Sequence, residues 1–243
     1  MGMKVAEKIE RKISRMKEGT TFGYQQLNIN RNEYTAAAKA VQRLIKKGLI
    51  KRASAGVFYI PKKSVFGELK PKEEELLKPY LFQEGKRIAY ITGSALYNRM
   101  GLTIQVPNTI KVASRAKRVV TKIGKTQVKP VKSYVEVSNE NFHLLEILDA
   151  LKDFKTISDL DKKSAIGLLS NTISNLAEKD LLNLVKYALK YPPRTTALLG
   201  AILEFTSKKN QTEILKNRLN PLTSYNMGIE RDILPTAPEW NII

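Results

Sequence analysis

Between Asn30 and Pro61 the chain joins a capped helix to a hairpin with almost no connection between them, and this junction restricts the possible folds more than any other stretch. Asn30 as N-cap with Glu33 at the third helical position resembles a capping box, with Asn in place of Ser or Thr. Ala37, Ala40, Val41, Leu44 and Ile45 recur at helical spacing, which makes one face apolar as far as Lys47. Gly48 then supplies a left-handed cap. Leu49 to Pro61 has β-branched and aromatic ends, a small-residue middle and Gly56 to tighten the turn, which reads as a hairpin with Lys51 and Arg52 beside its tip. Upstream, Val5, Ile9, Ile13 and Met16 share one face of a first helix that ends near Gly19. A short element at Tyr24–Leu27 and a turn at 28–30 separate the two helices. Helix, short helix, helix, hairpin is the order of a winged helix-turn-helix.

In that geometry the second helix enters the major groove and its N-terminal residues reach base edges. Arg31, Asn32, Tyr34 and Thr35 are therefore the candidates for base or groove contact, since Arg and Asn can form the bidentate pairs that distinguish guanine and adenine. Lys39 and Arg43, further along, and Lys51 and Arg52 at the wing are placed for phosphates. Glu33 is the one acid on this helix surface. A small helical domain with a basic, solvated face is the competing reading.

Charge distribution supports a polyanion partner. The net charge is +19. Residues 1–63 carry 15 basic and 4 acidic side chains, and residues 86–137 carry 11 basic side chains against the single acid Glu136. Residues 138–243 balance at 13 of each sign. Two localised basic blocks attract DNA, RNA or an anionic membrane equally, so charge alone does not choose among them. No apolar run approaches the ~18 residues that span a bilayer. Met1-Gly2-Met3 leads directly into a charged helical pattern without the apolar stretch of a signal peptide, so a cytoplasmic location is expected.

The fold expected is α+β: a winged helix-turn-helix over 1–63, a linker at 64–72 and a larger mixed domain over 73–243 that becomes helical after about residue 139. Pro71 with Glu73, Glu74 and Glu75 suits a helix start. Strands are expected at 88–92 and 110–114, a short helix at 93–101, and a strongly basic hairpin at 118–123 and 126–131 around Gly124-Lys125. Arg115, Lys117, Arg118, Lys122 and Lys125 form a candidate second basic surface. Helices follow at 142–154, 163–178, 180–191, 195–205 and 212–219. The stretch from Pro221 reads as an irregular tail packed on the domain.

Enzyme chemistry finds little support. There are no cysteines and one histidine, His143, at a helix start where a surface or cap role suits it. Gly124-Lys125-Thr126 carries the end of a P-loop, but the glycine required five residues earlier is Val119. Gly93-Ser94 between a strand and a helix resembles the opening of polymerase-type nucleotidyltransferases, yet residues 86–135 hold no carboxylate to retain divalent cations, so a turn and helix cap explain it better. Asp149, Asp153, Asp159 and Asp161 match no cation-loop spacing, and lysines at 152, 155, 162 and 163 balance them as at a solvated helix end. No cofactor or metal is expected.

The order of the basic helix-hairpin, then Gly67-Glu68-Leu69, then the run from Thr92 to Pro107 resembles the AbiEi-like antitoxins of type IV toxin–antitoxin systems. Its most specific part is Gly101-Leu102-Thr103 with Gln105 and Pro107. The Gly48, Ile50, Arg52 and Gly56, Phe58, Tyr59, Pro61 pattern of the wing matches as well. The resemblance covers residues 1 to about 137. It implies a DNA-binding N-terminal domain that represses its own promoter at inverted repeats, with two protomers on DNA. It also implies a C-terminal domain that neutralises a nucleotidyltransferase toxin encoded next door, without needing a stable complex. No catalytic residue is implied. The alternative is an RNA-binding or RNA-associated module that grips a phosphate backbone with both basic surfaces.

Overall fold

The computed structural model describes residues 4–65, 67–71, 73–208 and 211–243. The opening Met1-Gly2-Met3, and Phe66 and Lys72 within the expected linker, lie outside the described residues. The chain divides into two compact units, residues 1–88 with 119–129, and residues 89–118 with 130–243. Both mix helices with strands, so the fold is of the α+β class.

In the first unit, α1 (Val5–Ser14) packs on α2 (Tyr34–Lys46). The helical spacing explains why: Ile9 and Ile13 from α1 meet Ala37, Ala40, Val41 and Leu44 from α2 in one buried cluster with Phe22, Leu27, Ile50 and Phe58. Each large apolar side chain buried this way contributes about 1.5–3 kcal/mol. A 3-10 turn at Tyr24–Leu27 lies between the helices, as expected, and the helix expected from Arg31 opens instead as a 3-10 turn, Arg31–Glu33. There the Glu33 carboxylate accepts the Asn30 N–H at 3.3 Å. Strands β1 (Thr21–Gly23), β2 (Lys51–Ser54) and β3 (Val57–Tyr59) form an antiparallel sheet in the order β1-β3-β2. The β2–β3 hairpin turns at Gly56, whose φ of +72° suits a residue without a Cβ. Its register shifts between Arg52 and Ser54, a bulge at Ala53.

Residues 64–72, expected as a linker, contain paired backbone. Strand β4 (Lys62–Ser64) is antiparallel to β5 (Gly67–Leu69). Beyond it, α3 (Glu73–Leu81) lies against β1 and β3 and buries Leu76, Leu77 and Leu81. A short hairpin of β6 (Phe82–Gln83) and β7 (Lys86–Arg87) follows. The first unit thus extends past residue 63 because α3 supplies the sheet with a second apolar cover.

The second unit begins with β8 (Ala89–Thr92), α4 (Ser94–Arg99) and β9 (Thr109–Ser114). There β8 pairs antiparallel with β9, whereas strands β10 (Thr121–Ile123) and β11 (Thr126–Lys132) make the expected basic hairpin, most of which, residues 119–129, is grouped with the first unit. Helices α5 (Phe142–Asp153), α6 (Lys162–Ser174), α7 (Glu178–Ala188), α8 (Pro193–Phe205) and α9 (Thr212–Lys216) complete the unit. Helix α8 is buried along most of its length. The tail from Pro221 returns to it: Trp240 is buried over Gly200 and donates its indole N–H to Glu204 at 2.9 Å. Among the described residues no helix is long and apolar enough to cross a membrane.

Candidate nucleic-acid interface

The exposed face of α2 and its preceding turn holds every polar residue the spacing assigned to it. Arg31, Asn32, Tyr34, Thr35, Lys39, Gln42, Arg43 and Lys46 are all exposed. The apolar stripe on the opposite side causes this, because burying Ala37, Ala40, Val41 and Leu44 against α1 turns the basic stripe outward. Among the described residues Arg31, Lys39, Arg43 and Lys46 have no acidic partner. Glu33, the acid at the edge of this face, is 4.0 Å from Lys8 of α1. Lys47, one residue past α2, is 3.7 Å from Glu10. The result is a helix surface whose cations are neutralised by no acid among the described residues.

Two of the expected contact residues are engaged internally. Tyr34 stacks against Tyr24 with ring centroids 4.9 Å apart, and Tyr24 meets Phe58 edge-on at 5.3 Å. The Tyr34 ring is therefore braced on the first unit while half of the residue stays exposed. Lys51 is ion-paired with Glu68 of β5, whose hydrogen bond raises the lysine's pKa above its usual range. Its neighbour Arg52 is exposed, its guanidinium 5.8 Å from the Phe58 ring centre. Among the described residues Arg52, unlike Lys51, has no acidic partner. The β5 contact was not legible because Glu68 sits in a stretch that reads as a linker.

The second basic surface is divided. Lys122 and Lys125 belong to the first unit, and Arg115, Lys117 and Arg118 to the second. Gly124, with φ +60°, and Lys125 form a two-residue turn between the facing residues Ile123 and Thr126. A glycine at the first turn position is the requirement of a type II′ hairpin, so Gly124-Lys125-Thr126 is hairpin chemistry and not a phosphate loop. In the second unit a concavity of about 340 Å³ is lined by Ser114, Arg115, Lys117, Arg118 and Lys132 with Pro130 and Val131. Arg115 is 3.6 Å from Glu136 there and donates to the Tyr134 carbonyl at 3.2 Å.

The acidic cluster of α5 corrects the sequence expectation. Asp149 is not at a solvated helix end but is buried, 2% exposed. It accepts from Tyr90 at 2.9 Å and from Thr92 at 2.5 Å, while Lys152 lies 3.0 Å from its other oxygen. Tyr97 donates to Asp153 at 2.6 Å, and Lys152 is 3.7 Å from the same oxygen. A carboxylate thus does reach β8, the strand that leads into Gly93-Ser94, from a helix far along the chain that local spacing cannot connect to it. Its acceptors are occupied by two hydroxyls and an ammonium, an arrangement that rigidifies the packing of β8 on α5. Burial and the neighbouring carboxylates push the Tyr90 and Tyr97 hydroxyls well above the ordinary tyrosine range. His143 lies in the first turn of α5, 3.8 Å from Asp180. Among the described residues no three acidic or histidine side chains converge as a metal site.

The class defined by this architecture is a mixed α+β protein with a basic, helix-led first unit. The crystal structure of the RV2827C protein from Mycobacterium tuberculosis shares the fold, with a TM-score of 0.54 at 10% identity over 96% of this chain and 88% of that one. Residues 8–170 match the model of a family of unknown function, DUF6088, and the chain belongs to that family. No curated protein matches it.

Proposed function

We propose that the first unit is a winged helix-turn-helix that binds double-stranded DNA, and that the protein is a transcriptional regulator of its own promoter. The carrying observation is the exposed, unpaired cation stripe on α2. The charge of such a face must be met by counterions or by a ligand, and duplex DNA presents phosphates along a groove wide enough for a helix. The order of α1, α2 and the β2–β3 hairpin supports this docking, with Arg31 and Asn32 at the helix end that reaches base edges. Lys39, Arg43 and Arg52 then meet phosphates, and Tyr34 presents a braced ring edge to the groove. Lys51 contributes only if Glu68 releases it.

The AbiEi-like resemblance carries the reading one step further: the regulator is an antitoxin, and its functional partner is a nucleotidyltransferase toxin encoded beside it. Two protomers on an inverted repeat follow from the same resemblance.

Retention of labelled upstream duplex should exceed that of an unrelated duplex and of a structured RNA at moderate salt. Arg43→Ala should make the slope of log K against log salt shallower by about 0.9, one phosphate contact. RNA outcompeting both duplexes would replace this reading with the RNA-binding one. The antitoxin step is tested by co-expression: the chain should restore growth to cells expressing the neighbouring reading frame, and failure to do so removes it.

A further inference from the structure

We propose that the β10–β11 hairpin is a second wing, and that with the β2–β3 hairpin it forms a groove for the phosphodiester backbone of duplex DNA flanking the α2 contact. The inference rests on the duplex-binding reading above and extends it to a surface outside the helix-turn-helix.

Residues 119–129 are grouped with the first unit, although thirty residues of the second unit intervene in the chain. Strand β10 lies beside β2, the edge strand of the β1-β3-β2 sheet. Tyr80 of α3 fastens the two: its hydroxyl is 2.6 Å from Ser54 of β2 and 3.3 Å from Thr121 of β10. Between the hairpins is a concavity of about 450 Å³. Arg52 from the first hairpin, Lys125 from the turn of the second, and Lys70 line it, with Tyr59 also at its wall and Leu76 and Ile123 as apolar surface. Among the described residues, no acid lines it and none of the three cations has an ion-pair partner.

Two properties favour a phosphate backbone over a small anion. The cations come from three separate chain segments and are all exposed, so they can meet successive phosphates on an extended polyanion. The turn is short and carries its glycine where the type II′ geometry needs one, so Lys125 is presented on a stiff support. Arg52 is shared by both surfaces, which makes the groove continuous with the wing proposed to touch DNA.

The test uses the full chain and the labelled upstream duplex, about three helical turns long. Lys125→Ala should make the salt slope shallower by about 0.9, and Lys70→Ala/Lys125→Ala by about 1.8, with unchanged melting temperature. Hydroxyl-radical footprinting should lose protection at one flank and keep it at the centre. Lys125→Gln keeps most of the stem and substitutes if the alanine variant melts early. If Arg43→Ala lowers the slope while both groove variants keep the wild-type slope and footprint, the second wing is wrong and the duplex reading stands. If the wild type does not retain duplex, both fall. If the double variant loses structured RNA and keeps duplex, the groove is an RNA site and the inference is overturned.

Discussion

A single methyl group at Gly200 tests how the C-terminal tail is held. Gly200 lies within α8, where a helical alanine would ordinarily be favoured over glycine by about 1 kcal/mol. Here a Cβ would lie 2.5 Å from Trp240 Cε3 and closer still to Cζ3 and Cη2. Carbon atoms in contact settle at about 3.5–4.0 Å, so the indole would have to move by about 1 Å or more. It has little room, being 1% exposed and tied to Glu204 through its N–H. If the ring leaves its site, the loss approaches the ~3–5 kcal/mol of deleting a buried tryptophan. Subtracting the propensity gain, Gly200→Ala should destabilise by about 2–4 kcal/mol. Trp240 is the only tryptophan in the chain, so its emission reports the site directly. The variant should show a red-shifted spectrum and a lower melting temperature. A double-mutant cycle isolates the cause: in a Trp240→Ala background, Gly200→Ala should be neutral or stabilising. Wild-type emission and melting in the single variant, or full additivity in the cycle, would refute the reasoning.

Three further outcomes follow from the same geometry. Asp149→Asn should lower stability by about 2–4 kcal/mol, because Lys152 loses its nearer carboxylate while remaining mostly buried; chemical denaturation with an unchanged midpoint would contradict the network. Burial and nearby carboxylates hold the folded-state pKa values of Tyr90 and Tyr97 above the unfolded value of 10.0. Their contribution is fully present below that pH and is lost as pH rises beyond it, so melting temperature should fall above about pH 10, and less steeply in Tyr97→Phe. Glu68→Ala frees Lys51 from its ion pair and should strengthen duplex binding while steepening its salt slope by about 0.9; an unchanged slope would mean that Lys51 faces away from the DNA.

The parts of the fold legible in the sequence are those specified by local rules. The α2 stripe, the Gly48 stop, the Gly56 and Gly124 hairpins and the helices from Phe142 onward all arise from spacing or turn chemistry within a few residues, and all are present. What could not be read depends on pairing across distance. β1 is three residues long, too short for periodicity, and exists because Thr21 to Gly23 pair with β3. The β4–β5 pair was hidden in a polar stretch, and with it the Glu68 partner of Lys51. The burial of Asp149 was obscured for a similar reason: its balancing lysine was visible three residues away, but Tyr90 and Thr92 were nearly sixty residues away. In the candidate interface, the identity of the exposed α2 residues was legible and the division of the second basic block was not.

The insertion of residues 119–129 into the first unit has a consequence for how this protein can be made and altered. A ribosome releases the α1–α2 pair early, but the hairpin beside β2 can join it only after all of β8, α4 and β9 has emerged. The first unit therefore gains its last hairpin only after part of the second has been made, and no single cut in the chain separates the two units intact. Fragments ending at residue 63 or 88 will lack that piece, and shuffling of the basic half onto another partner would have to carry part of its neighbour along.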